Sequence, residues 1–148
     1  MILEKKNYKK IEHYLYSHFE TSEQLEIEIE DIIYGCKALH LGEEIGASMS
    51  TSNESKVERA AIQLIDLKES EELQWTEVIK DVLNDFKGTE YEILIDLTYN
   101  KQFRVTKIVR MLNIEKSAYY DRRSDVVMQV ALIAASRGLI KNKVDKVS

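Results

Sequence analysis

Apolar residues recur at helical spacing almost from the start of the chain. Ile11, Tyr14, Leu15, His18 and Phe19 share one face of a helix over residues 4–19, with lysines on the other. Thr21-Ser22-Glu23-Gln24 sets a hydroxyl three residues before a glutamine, a capping box that predicts a second helix. Its stripe is Leu25, Ile29, Ile32, Ile33, Cys36 and Leu39. Leu25-Glu26-Ile27-Glu28-Ile29 also alternates with period two, a strand signal. So short a run inside a longer helical stripe, with no partner strand, favours helix. Residues 41–53, LGEEIGASMSTSN, predict a linker, after which Ser52 or Asn53 caps a helix through Val57, Ala60, Ala61, Leu64, Ile65 and Leu67. A charged patch, Lys68–Glu72, interrupts this stripe before Trp75, Val78, Ile79, Val82, Leu83 and Phe86 resume it, as core or as a dimer face. Gly88 then reads as a helix C-cap and Thr89-x-x-Glu92 as a further capping box.

Three helical patterns follow in quick succession. Thr89–Tyr99 aligns Leu94, Ile95 and Tyr99, and a polar turn, Asn100-Lys101-Gln102, leads to Phe103. A second helix at about 104–112 carries Val105, Ile108, Val109, Met111 and Leu112. Asn113-Ile114 makes a tight turn into a longer helix with Tyr119, Tyr120, Val126, Val127, Val130 and Ile133. This is helix-turn-helix spacing. The turn needs a residue that tolerates the left-handed region, and asparagine is the best type after glycine. Ile114 must then plug back into the small core. Such a motif presents polar and basic groups near the start of its last helix, and Lys116, Ser117, Tyr120, Arg122 and Arg123 lie there. Lys101, Arg104, Lys107 and Arg110 reach phosphates from the preceding turn and helix. Tyr119 takes the core-facing position and Tyr120 the exposed one. Asp121 and Asp125 stand at helical spacing to pair with arginines and lower the local positive field.

Charge sharpens this picture. The 148 residues carry a formal net charge of −5, but residues 1–98 hold 10 Lys+Arg against 22 Asp+Glu, a net of −12. Residues 99–148 hold 11 against 4, a net of +7. Two surfaces of opposite sign imply different partners, one of them a polyanion. Arg137, Lys141, Lys143 and Lys146 extend the basic part as a tail that either contacts phosphates or only solubilises. With no proline and only five glycines, an all-β sandwich is excluded in favour of an all-α fold. A lone cysteine excludes an intramolecular disulfide framework and points to the cytoplasm. No apolar run approaches a membrane span of about 18 residues, and Glu4-Lys5-Lys6 follows Met1 too soon for a signal peptide.

Thr89–Ile133 resembles region four of bacterial sigma factors, with Leu112-Asn113-Ile114-Glu115 at the junction usually occupied by Leu-Gly-Ile-Ser. The whole arrangement is similar to the ArpU/RinA-type late transcription activators of phages infecting Gram-positive bacteria. Ser52-Asn53-Glu54-Ser55-Lys56-Val57-Glu58-Arg59-Ala60 looks like the Ser-Asn-x-Ser-Lys-x-Glu-x-Ala segment of RinA-type proteins. Ala118-Tyr119-Tyr120 followed by Arg122-Arg123 resembles the ArpU recognition helix. Glu115 departs from the pattern where a capping Ser or Thr is expected, and Val109 stands where Ala is common.

The resulting expectation is an acidic helical region at 1–87, a helix-turn-helix domain at 88–140 and a basic tail at 141–148. The resemblance implies a sequence-specific activator of phage late genes, binding double-stranded DNA without a cofactor, forming a homo-oligomer and touching host RNA polymerase. The alternatives are a terminase small subunit that marks packaging DNA and a sigma-like adaptor that binds polymerase alone. An enzyme is not expected. Glu26, Glu28, Glu30, Asp31 and Glu69, Glu71, Glu72, Glu77, Asp81 raise a Mg²⁺-dependent nucleotide hydrolase, against which they read as solvated faces. Cys36 and His40 supply two of the roughly four ligands a zinc site requires.

Overall fold

The computed structural model describes the backbone over residues 3–42 and 50–141, and side chains over 3–35 and 56–141. Its first helix, α1, is continuous over Lys5–Gly42 and runs straight through the expected boundary at Thr21. A capping box marks a helix start only where the chain before it has left the helix, freeing amides for the hydroxyl. No glycine or proline lies within Lys5–Tyr34 to force that departure, and the two expected helices are one. The alternation at Leu25–Ile29 lies within this helix. The second helix, α2, covers Ser50–Glu69, so it begins before the expected caps at Ser52 and Asn53. The predicted interruption at Lys68–Glu72 becomes a one-residue hinge at Ser70, after which α3 spans Glu71–Asp85. Ser70 Oγ donates to the Leu67 carbonyl at 2.6 Å and accepts the Leu73 amide at 3.3 Å, closing one helix and opening the next.

Gly88 adopts φ +81°, the left-handed cap expected of it. Thr89 Oγ1 accepts the Tyr91 amide at 3.3 Å and opens α4, Glu90–Ile95. The Glu92 carboxylate reaches back to the Gly88 amide at 2.7 Å, one residue earlier than in the usual box. A π-helical turn follows at Asp96–Asn100, then α5 at Val105–Leu112 and α6 at Lys116–Ser136. Among the described residues every regular element is helical, and none is long and apolar enough to cross a membrane.

Two compact units result, Met1–Phe19 with Trp75–Ser148, and Glu20–Gln74. The division does not fall at 87/88. The reason is a single apolar cluster that takes Ile11 and Leu15 from α1, Trp75, Val78, Ile79 and Val82 from α3, and Val126, Val127, Val130 and Ala134 from α6. The Trp75 stripe is therefore core. A second, smaller cluster joins Leu94, Leu97, Ile108 and Tyr119, with Phe103, Val109, Leu112 and Ile114 packed on it. The π-helical turn serves both. Its wider turn lets the consecutive residues Leu97, Thr98 and Tyr99 all be buried, Leu97 in the small cluster and Tyr99 in the large one. In the Glu20–Gln74 unit, by contrast, Ile27, Ile33, Tyr34, Ile62 and Ile65 stay exposed.

His18 lies on the inner face of α1, its Nδ1 without a partner and its ring edge-on to Phe19. Burial, assisted by Lys80, lowers its pKa from 6.5 to about 4. The unfolded chain therefore binds a proton across that window while the folded chain does not. The contribution is intact above pH 6.5 and is lost as pH falls towards 4. Unfolding free energy should drop by about 3 kcal/mol between about pH 7 and about pH 4 from this group alone. His18→Leu should flatten that part of the profile in urea titrations. A profile of unchanged steepness would assign the loss to other groups.

Candidate nucleic-acid interface

The residues between α4 and α6 are positioned by backbone geometry that their sequence dictates. Arg104 is extended at φ −67°, ψ 147°, and its carbonyl accepts the Lys107 and Ile108 amides, both at 3.0 Å, to start α5. Asn113 ends that helix at φ 54°, ψ 49°, the left-handed conformation foreseen for it. Its amide bonds to the Arg110 carbonyl at 3.3 Å and that of Ile114 to the Val109 carbonyl at 3.1 Å, the pair that defines a Schellman cap. Ile114 and Val109 then pack on the same small cluster, so the turn is stitched to the core it leaves. Glu115 precedes α6 in extended conformation, and its side chain makes no capping bond. The helix accordingly starts at Lys116.

Tyr119 is fully buried, and its hydroxyl lies 3.0 Å from Thr98 Oγ1 in the π-helical turn. Tyr120 is half exposed, its ring edge-on to that of Tyr119 at 5.2 Å. The assignment of one tyrosine inward and one outward is thus what the side chains show.

The basic residues fall into two groups. Lys101, Arg104, Lys107, Arg110 and Lys116 are all exposed. Lys101 lies 3.6 Å from Asp96 in a solvent-screened pair of little energetic weight. Lys107 sits over the Phe103 ring at 3.8 Å from its centroid, which orients the ammonium without neutralising it. Arg104, Arg110 and Lys116 have no ion pair among the described residues.

The arginines of α6 behave differently. Arg122 is 3.3 Å from Glu90 and largely covered, so its charge is partly spent within the fold. Arg123 was the less exposed of the two and is turned inward altogether. Its Nε and Nη2 donate to the two Glu12 carboxylate oxygens at 3.1 and 2.6 Å, and Nη2 also donates to the Tyr16 hydroxyl at 2.9 Å. The guanidinium lies beside the edge-to-face pair of Tyr16 and Tyr99 rings, 5.7 and 5.8 Å from their centroids. Burial draws its pKa down, but the Glu12 hydrogen bonds and neighbouring groups outweigh that and hold it above the ordinary value. The expectation that Arg123 faces a nucleic acid is therefore corrected. Arg123 is four residues after buried Tyr119 and four before buried Val127, so it lies on the inner side of the helix. That spacing was the available signal. The acids do not pair with these arginines either: Asp125 accepts the Tyr91 hydroxyl at 2.9 Å, and Asp121 has no ion pair among the described residues.

What remains outward on the first turns of α6 is Lys116 with Ser117, Tyr120 and Asp121, the last three adjacent on one face at i, i+3 and i+4, and all four are exposed. Ser124, also exposed, continues that row. Asp121, expected to pair with an arginine, instead stands open on this face. Of the tail, Lys143 and Lys146 lie outside the described residues, while Arg137 is ion-paired with Asp81. Glu69, Glu77 and Asp81 are exposed, and among the described residues no group of three or more His, Cys, Asp or Glu could hold a metal ion. Cys36 and His40 lie outside the residues whose side chains are described. Set against protein-family models, curated proteins and solved structures, the chain matches none of them.

Proposed function

We propose that the chain is a regulator that binds double-stranded DNA, with α5 and α6 as a helix-turn-helix and α6 as the helix that enters the major groove. One observation carries the reading: Lys101, Arg104, Lys107, Arg110 and Lys116 are all exposed within one short stretch, beside a helix face of hydrogen-bonding side chains. Cations in that arrangement neutralise phosphates and fix register, while the polar face meets base edges. The acidic balance of residues 1–98 opposes contact with DNA elsewhere, which confines binding to this face. Activation of late phage genes is the role implied by the resemblance of residues 52–60 and 118–123, with host RNA polymerase as a further partner. A second copy of the chain is the partner this reading gives to the exposed Ile27, Ile33, Tyr34, Ile62 and Ile65. One module making a handful of phosphate contacts binds weakly, and pairing two modules restores affinity.

The test is duplex binding by fluorescence anisotropy at about 50 mM and about 200 mM salt. Substituting Arg104, Lys107 and Arg110 together with alanine should lower the slope of log affinity against log salt by about 2.7, at about 0.9 per phosphate contact. Sedimentation of the complex should report two copies per site. Wild-type protein that binds no duplex, or a triple variant with the same slope, would overturn the assignment. A late-promoter reporter that responds to the wild type and not to the triple variant would connect binding to activation.

A further inference from the structure

The face that α6 offers to a groove has an unusual chemistry for a basic module. Helical geometry brings Ser117, Tyr120 and Asp121 together on it, whereas Arg122 is drawn to Glu90 and Arg123 to Glu12. Exposed Lys116, one turn before Tyr120, borders that row and makes no ion pair with its acid. The charged member of the row is a carboxylate, and among the described residues nothing neutralises it: Asp121 makes no ion pair, while Asp125 one turn on is occupied by Tyr91. An ionised carboxylate only accepts hydrogen bonds. It is repelled by phosphates and by the acceptor atoms that guanine and thymine present in the major groove, O6 and N7 of one and O4 of the other. Adenine offers an amine, but with the N7 acceptor beside it. Cytosine offers its N4 amine with no acceptor alongside, and is the one base whose edge suits an isolated carboxylate.

We propose that Asp121 is the specificity-determining residue of the interface and that it selects cytosine at one position of the recognised site. The inference rests on the DNA-binding reading and deepens it. Cations around the rim supply attraction to any duplex. Asp121 subtracts from that attraction wherever the base beneath it cannot donate, so discrimination comes from rejecting wrong sequences as much as from binding the right one. Removing the charge should therefore loosen specificity and raise affinity for arbitrary DNA.

The experiment is selection from a randomised duplex pool by the full chain, the Asp121→Asn variant and, as control, Asp125→Asn. Wild type and Asp125→Asn should enrich the same motif with one strongly held cytosine. Asp121→Asn should lose that cytosine, shift towards adenine at the same position, since an amide pairs with adenine N6 and N7, and bind unselected duplex severalfold more tightly. Replacing the cytosine in the enriched site should cost the wild type about tenfold or more in affinity and the Asp121→Asn variant much less. The substitution is on the surface, and matching melting temperatures establish that all three proteins are folded. An unchanged motif in Asp121→Asn, loss of the cytosine in Asp125→Asn as well, or a wild-type motif without a held cytosine overturns the inference while leaving DNA binding intact. Failure of wild type to bind any duplex overturns the DNA-binding reading and this inference together.

Discussion

Glu12→Ala is expected to destabilise the folded chain by about 3 kcal/mol, measured by chemical denaturation. The Glu12 and Arg123 side chains retain only 12% and 19% of their exposure, and the carboxylate is held by two guanidinium nitrogens. Removing the acid strands a cation beside the Tyr16 and Tyr99 rings, with the Tyr16 hydroxyl left to accept from it. Breaking one side of a covered pair costs more than deleting both, because the survivor keeps its desolvation penalty without its partner. Arg123→Ala should therefore cost about 2–3 kcal/mol, and the double variant clearly less than the two single losses combined. Additive losses would show that the pair is not coupled. The same variants separate a brace from a contact. Where Arg123→Ala is fully folded, the salt slope of duplex binding should equal that of the wild type, whereas a residue touching phosphate would lower it by about 0.9.

That pair marks the limit of what local pattern reveals. The helical character of the chain was legible because its signals are short-range: the left-handed cap at Gly88, the Thr89 start and the Asn113-Ile114 turn each depend on residues within one helical turn. The burial of Tyr119 and exposure of Tyr120 followed from the same spacing. Three features did not follow. A competent capping sequence at Thr21 is overridden because the helix before it never stops. The π-helical turn at Asp96–Asn100 has no sequence marker of its own and exists because Leu97 and Tyr99 serve different clusters. The fate of Arg123 depends on Glu12, more than a hundred residues away in the chain and on another helix. Counting basic residues on α6 therefore overstated how many face outward, and the arginine pairing expected of Asp121 does not form.

Trp75→Ala is expected to lose about 3–5 kcal/mol, the range for truncating a fully buried aromatic residue. Trp75 stands where α3 enters the large cluster and has no exposed surface. Its ring stacks on Tyr14 of α1 with centroids 4.8 Å apart and planes within 7°, and Val78, Ile79 and Val82 continue the same buried face. The cavity left by alanine would be walled by residues of several helices, none of which can collapse into it without abandoning contacts elsewhere. A graded comparison separates volume from polarity. The indole N–H is buried without an acceptor among the described residues, and such a group costs about 1–3 kcal/mol to bury. Trp75→Phe keeps a stacked ring and removes the unpaired donor, so relief of that cost offsets much of the smaller cavity. Its stability should lie within about 1 kcal/mol of the wild type. Were Trp75→Phe to lose as much as Trp75→Ala, the indole N–H would have to be making an interaction in solution that outweighs its packing. Were both variants to lose little, α1 and α3 would not share the core that unites the first helix with the last.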